Sequence, residues 1–311
     1  MAISRKIYTN SDVEILAMDA DLSGGSDTGV KLYAKPDTVQ NATFTLTIPR
    51  ADVNAFGVKG VVARPVLEAH SANIEFSFIP RDASGDASTS QLEDGTQTPA
   101  EHANTGNLSE LDLNAMMQDT LANEPKYVAV QVQEIGALTN ALMSSFSADA
   151  SVGAMPTFSL SFIGAEGAWG AGTGAGSSEV AGTGSTATLI DVVEPQDITV
   201  GTGDYPGTNG CVQSLAWAWD IPVELVLCLG GDPATQGEAL SSPPGTASKT
   251  IEGLGEVADG SVLRVSNIGA YQFNIGSAAN VDSRTHNMAV GELFATYNYV
   301  MGSTADTCTI A

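Results

Sequence analysis

The chain has 311 residues, 43% hydrophobic and 15% charged, enough to bury a sizeable core in two ordinary domains or one large β domain. Its 33 glycines, with abundant Ser, Thr and Val, point to a turn-rich β architecture and away from a helical protein. Twelve basic residues against 36 acidic ones give a formal net charge of −24, which argues against stable nucleic-acid binding, since neutralising phosphates takes clustered Lys and Arg.

The first residues contain no apolar run of signal-peptide length, and no stretch approaches the roughly 20 apolar residues of a membrane helix. A soluble product made in the cytosol is therefore expected. Cys211, Cys228 and Cys308 are odd in number and lack metal-ligand spacing, so neither a disulfide framework nor a zinc site is expected.

Residues 1–35 carry two short apolar pieces, Val13 to Met18 and Val30 to Tyr33, which read as an extended arm or edge strand. Between them Asp19, Asp21, Ser23 and Asp27 form an acidic loop. Val30 stands where a calcium loop would need its bidentate Glu, so the loop reads as a solvated turn. From Val39 to Gly57, Ala42, Phe44, Leu46 and Ile48 alternate with Thr43, Thr45 and Thr47, the period of a half-buried strand. Pro49 has no N–H for the ladder and ends it, and the helical spacing of Val53 and Phe56 predicts a short helical turn before Gly57.

Ile74, Phe76 and Phe78 predict a second half-buried strand, stopping at Pro80 and pairing with or neighbouring the first. Residues 81–107, which include His102, have almost no large apolar side chains and predict a surface loop. Ser109 and Asp112 resemble a capping box. Leu113, Met116, Met117 and Leu121 then line one face of a helix predicted over 109–122 and closed by Pro125, its methionines read as core packing. Tyr127 to Gln133 alternates as a strand, and Asn140 to Ile163 reads as a long β-hairpin turning near Gly153 to Pro156. In it Phe146, Ala148, Ala150 and Val152 face the same way as Phe158, Leu160 and Phe162.

Gly164 to Ala187 is glycine-rich without hydrophobic period. It lacks the Walker lysine and a following helix, so it reads as a linker and not as a phosphate loop. Beyond it the Val39 stretch returns as Val212 to Gly230. A shift of 173 residues superposes Val212, Gln213, Ile221, Pro222, Val226 and Gly230 on identical residues, and sets Leu215, Trp217 and Trp219 on the face of Ala42, Phe44 and Leu46. The predicted organisation is an N-terminal arm plus a first β domain over 1–165, a Gly-rich linker over 166–200 and a second, shorter β domain over 201–311. In the second copy Tyr271, Phe273 and Ile275, followed by Leu293, Ala295, Tyr297 and Tyr299, are expected to rebuild the hairpin.

No chemistry-bearing constellation accompanies these elements. His70, His102 and His286 lie in separate segments, and the chain has no GxSxG elbow, HExxH helix or CxxC pair. No catalytic, cofactor-binding or metal-ligating residue is assigned, no cofactor is expected, and the chain is not read as an enzyme.

Three stretches carry a resemblance: Val39 to Gly57 with the following Arg64 to Phe78, Leu142 to Phe162, and Val212 to Gly231. In their order and spacing the chain resembles the major tail tube proteins of long-tailed bacteriophages, over about a quarter of its length. The resemblance implies a β-sandwich or barrel whose subunits join neighbouring sheets into a closed barrel, with the long hairpin and arms contacting the ring above or below. It implies a virion structural protein that polymerises as stacked rings into a tail tube, made in the host cytoplasm. Its partners would be other copies of itself, a tape measure protein and a tail terminator protein, with no membrane. DNA would cross the lumen without specific binding, and an acidic lumen wall would keep the phosphate backbone from sticking. If the chain is a tandem copy, three chains would supply six similar units, so a trimeric pseudo-hexameric ring is favoured over a hexamer. The alternatives are another virion β protein, such as a decoration or minor tail protein, and an adhesive carbohydrate-binding β protein using Trp217 or Trp219 as sugar platforms. Their place on the core face of the strand speaks against that last use.

Overall fold

A computed structural model describes residues 13–17, 31–34, 38–80, 127–132, 135–169, 193–194, 197–200, 211–234, 236–241, 245–254, 264–269, 271–276, 280–289, 296–304 and 308–310. The strands of the N-terminal half are β1 (Val13–Ala17), β2 (Lys31–Ala34), β3 (Val39–Thr47), β4 (Val53–Asn54), β5 (Val61–Ala63), β6 (Ser71–Phe78), β7 (Val128–Val132), β8 (Gly136–Ser151) and β9 (Thr157–Trp169). The C-terminal half adds β10 (Ile198–Val200), β11 (Cys211–Asp220), β12 (Val223–Leu227), β13 (Gly237–Ser241), β14 (Thr246–Leu254), β15 (Val265–Ile268), β16 (Tyr271–Asn274), β17 (Asn280–Asn287), β18 (Thr296–Thr304) and β19 (Thr309–Ile310). Among the described residues there is no helix, and the sheets are antiparallel, so the fold is mainly β. The helix expected over 109–122, the loop 81–107 with His102, and the acidic loop from Asp19 to Asp27 lie outside the described residues.

Strand alternation sets the burial. Phe44 is buried on β3 while Thr43 and Thr45 are exposed, and Phe44 stands opposite Ile74, the second of four buried apolar residues on β6. The expected long hairpin is β8 and β9, with Phe146 opposite Leu160 and Ala148 opposite Phe158. Val152, expected on the same face, is exposed at its turn.

Three expectations need correction. After Pro49 the chain makes no helical turn: Val53–Asn54 pairs with Val61–Ala63 as a short ribbon, because the apolar spacing that suggested a helix belongs to side chains left in solvent. The stretch read as linker from Gly164 opens with strand, since β9 runs on to Trp169, and Ile198–Val200 within 166–200 is also strand. Glycine-rich sequence is tolerated there because side chains crowd in: a Cβ on Gly167 would lie 2.5 Å from Cβ of Ala72. In the C-terminal half the hairpin is β17 with β18, while Tyr271 and Phe273 fall on the preceding β16; Leu293 and Ala295 lie outside the described residues.

The strands make two layers. A large sheet contains, in hydrogen-bonded succession, β3, β6, β9, β8, β11, β14, β18 and β17, with β7, β1 and β2 branching from the start of β8. A smaller sheet, β10, β15, β16, β19, covers its apolar face. Phe273 of the small sheet packs at ring-centroid distances of 5.4 Å from Trp217, 5.7 Å from Phe158 and 6.1 Å from Phe146, and Tyr271 lies 5.1 Å from Phe158. All five rings are buried, so the core is densest where the two halves of the chain meet.

The strand plan is executed twice. β3 pairs with β6, β6 with β9 and β9 with β8; β11 pairs with β14, β14 with β18 and β18 with β17. The irregularities also coincide. The bulge between Val39 and Asn41 on β3 recurs between Val212 and Ser214 on β11, at the shift of 173 residues found in sequence. The bulge between Met143 and Ser145 on β8 recurs between Val281 and Ser283 on β17. A bulge takes up one unpaired residue and fixes local twist, so its recurrence at matching places is stronger evidence of a structural repeat than strand order alone. Even the layer-crossing strands match, with β1, β7 and the start of β8 repeated as β10, β15 and β16.

Candidate assembly surface

The repeats are joined edge to edge. β8, the last strand of the first repeat, pairs with β11, the first strand of the second, over Ser214↔Ser151 through Asp220↔Ser145. Each junction partner has an equivalent left at the outside of the same sheet. Among the described residues β3, which matches β11, pairs with β6 alone, and β17, which matches β8, pairs with β18 alone. Among the described strands, the eight-strand run therefore begins with an acceptor-type strand, β3, and ends with a donor-type strand, β17. Among the described residues it does not close on itself.

The two junction strands and the two free edges differ in chemistry. Along the seam Trp219 opposes Phe146 and Trp217 opposes Ala148. The two tryptophans are 0% and 1% exposed, so neither offers a sugar platform. At about 25 cal/mol per Å² and 150–250 Å² per ring, each Trp contributes an upper limit of about 4–6 kcal/mol to holding the repeats together. On β17 the residues in the places of Phe146 and Ala148 are Arg284 and His286, both exposed. Polar, charged edge strands are how soluble sheets avoid indiscriminate pairing. That same polarity hid β17 from a reading based on apolar alternation.

A second surface is formed by the ribbons that follow Pro49 and Pro222. Val223↔Ser241 and Val226↔Glu238 of β12 and β13 match the bridge Arg50↔Val66 and the pair Val53↔Ala63 of the first ribbon. Each tip turns at a glycine in the left-handed region, Gly57 with φ 81° and Gly230 with φ 90°, where a side chain would be strained. The residue before each glycine is a large apolar one with its side chain in solvent, Phe56 and Leu229. The sequence alignment already set these two residues opposite one another; only the structure shows both exposed.

The second ribbon lies on the first repeat. Gly237 approaches so closely that an added Cβ would be 2.5 Å from Cβ of Ala165 on β9 and 2.9 Å from that of Ala69. The Tyr127 hydroxyl donates to the carbonyl of Ala239 at 3.0 Å and to the carboxylate of Glu238 at 3.2 Å. Burial, then the neighbouring Glu238 charge, push the Tyr127 phenol up to about 12. The His70 N–H donates to the Pro233 carbonyl at 3.0 Å. Among the described residues the first ribbon has no such cover: Val53, Val58, Val61 and Val62 are 43–55% exposed.

The face of the large sheet opposite the core is lined by small polar side chains. Thr43, Thr45, Ser147, Ser159, Ser161, Ser248 and Thr250 share it by register. Charged members of it among the described residues include Glu75, Asp149, Asp220 and Glu252, all exposed and all acidic. Desolvation by their surroundings raises the carboxyls of Asp149 and Asp220 above the ordinary range. The one basic side chain within the register blocks of β11 and β14, Lys249, stands opposite Trp217 on the core face, where burial lowers it to about 7.

Of the histidines, His70 is half-buried, His286 is exposed and His102 lies outside the described residues. No group of three or more His, Cys, Asp or Glu that could hold a metal ion occurs among the described residues. Cys211 and Cys228 are exposed, and Cys308 is buried. No helix among the described residues is long and apolar enough to cross a membrane. No protein-family model matches the chain, and no curated protein matches it.

Proposed function

We propose that the chain is a structural ring-forming protein of the tail-tube type, assembling head to tail into closed rings that stack into the hollow tail of a long-tailed bacteriophage. The observation that carries this reading is the internal seam. A β11-type edge already accepts a β8-type edge within the chain, and the same two edge types, β3 and β17, stand at opposite ends of the described sheet. A surface that joins to a different surface of its neighbour makes a heterologous contact, which yields a closed ring when the rotation per contact divides a full turn and a filament otherwise.

Transferring the seam register to the free edges places Leu46 of one chain opposite Arg284 of the next, Thr45 opposite Thr285 and Phe44 opposite His286. The continued sheet would have no edges, the condition under which a barrel protects its backbone groups from aggregation. Three chains would supply six repeats, giving a pseudo-hexameric ring. The Ser/Thr face with Glu75, Asp149, Asp220 and Glu252 would then line the lumen, because the opposite face is occupied by the core. Such a wall repels phosphate and lets DNA pass as cargo. Tape measure and tail terminator proteins are the expected partners inside and at the end of the tube.

Negative-stain electron microscopy of the purified protein, with its mass from light scattering, tests the reading. Rings or hollow tubes with a unit mass of three chains are expected. Six-chain rings would retain the function and discard the pseudo-hexamer, and a monomer that never stacks at high concentration would favour a decoration or adhesive protein.

A further inference from the structure

We infer that the solvent face of the β12–β13 ribbon is the docking site for the β4–β5 ribbon of a second copy of this chain, basic ribbon on acidic ribbon. The contact goes beyond the ring reading above and does not depend on which sheet edges meet. Its warrant is that two ribbons built alike carry opposite charge. Residues 50–66 hold Arg50, Lys59 and Arg64 against Asp52 alone, a net charge of +2 (3 − 1), in a chain of −24. Residues 223–241 hold Glu224, Asp232 and Glu238 and no basic residue, a net charge of −3. The difference falls at matching places. Two residues past the tip glycine the first ribbon has Lys59 and the second has Asp232, and where the second has Glu224 and Glu238 the first has Ala51 and Ala63.

Register gives the acidic ribbon a mixed outer face. Glu224 stands opposite Leu240 and Val226 opposite Glu238, and these four exposed side chains share one face, acids on one diagonal and apolar residues on the other. Gly237 and Ala239 are buried on the face toward the first repeat. The basic ribbon offers both counterparts, since Val53, Val61 and Val62 are 43–47% exposed and Arg50 and Lys59 are exposed on the same element. Among the described residues neither Lys59 nor Glu224 enters an ion pair, whereas Arg64 is held by Asp52 at 2.7 Å. A two-stranded ribbon is marginal without a surface to pack on. Both faces are open in the single chain, so its own two ribbons do not cover one another. Copies of so acidic a chain repel each other at long range, and a place where opposite signs meet is what steers them into one register. Each docking leaves one chain's acidic ribbon and the other's basic ribbon free, so the contact propagates head to tail.

Charge reversal in the full chain tests the contact, with self-association followed by sedimentation velocity. Arg50→Glu with Lys59→Glu, and separately Glu224→Lys with Glu238→Lys, should each raise the concentration needed for association about tenfold or more. All four changes together should bring it back to within about threefold of wild type. The two half-reversed proteins, monomeric alone, should associate when mixed, because each then meets a ribbon of opposite sign. Where a double change disturbs the fold, the single changes Lys59→Glu and Glu224→Lys give the same comparison. Rings that form as readily in both half-reversed proteins as in wild type overturn the ribbon contact and leave the ring reading standing. Association that is lost in them and returns neither in the fourfold variant nor on mixing places the basic ribbon's partner elsewhere and overturns the proposal. Wild-type protein that stays monomeric at high concentration overturns both readings. Wild-type protein that retains DNA, with retention abolished by Arg50→Glu and Lys59→Glu, would assign the basic ribbon to nucleic acid and overturn the proposal likewise.

Discussion

Trp219 lies directly opposite Phe146 across the seam between the repeats, and the residues in the same two places on the outermost strands are Leu46 and Arg284. One strand pairing thus occurs in two chemical versions. The version inside the chain is aromatic and dry; the version at the outer edges sets an aliphatic side chain against a charged one. The first suits a permanent joint, and the second suits an edge that must stay soluble until a partner arrives.

The seam aromatics should dominate stability. Phe146→Ala removes a ring that touches Phe158, Trp217 and Phe273 and should cost about 3–5 kcal/mol, read as a lower denaturant midpoint in urea. A loss below about 1 kcal/mol would mean that the two halves are held together elsewhere.

Lys249 occupies, by pairing register, the place that Ile74 holds in the first repeat. Burial lowers its pKa from 10.5 to about 7, so between those values the unfolded chain binds more protons than the folded one. Stability should therefore rise with pH from about 7 toward 10, until Tyr127, whose pKa is raised to about 12, begins to oppose it. Lys249→Ile should flatten the rise and stabilise the fold by about 1–4 kcal/mol. Thermal melts of both proteins at pH 7 and pH 9 check the sign.

The seating of the second ribbon is tight enough to be tested by one methyl group. Gly237→Ala would set a Cβ against those of Ala165 and Ala69 and should cost about 1–3 kcal/mol. The Tyr127 hydroxyl contact to Ala239 should loosen with it, visible as a fall of the phenol pKa back toward 10.

The polar face offers a test of the acidic lumen. Replacing Glu75, Asp149, Asp220 and Glu252 together by Lys should make assembled protein retain fluorescent DNA at low salt, with affinity falling steeply as salt rises. Wild-type assemblies should retain none. Equal retention by both would remove the lumen assignment of this face.

The sequence made much of the repeat legible, for reasons the structure makes plain. The Thr-alternating strand, the Ile-Pro stop and the terminal glycine of Val39 to Gly57 and Val212 to Gly230 are local signals, and each marks a strand end or a left-handed turn. β17 was illegible because an outermost strand carries Ser283, Arg284, Thr285 and His286 where a core strand would alternate. The first ribbon misled because Val53 and Phe56 are apolar without being buried, so their spacing reports no core. The seam itself is a long-range pairing of β8 with β11, and no local pattern announces which edges will meet.

The central claim is that β17 of one chain extends the sheet through β3 of the next. Electron cryomicroscopy of assembled protein, at a resolution that separates strands, tests it most directly. The account predicts Thr45 of one chain opposite Thr285 of its neighbour, with the bulge at Asp282 matching that at Ser144 in the internal seam. Rings in which β3 and β17 both remain open to solvent, or in which like edges meet, would contradict it.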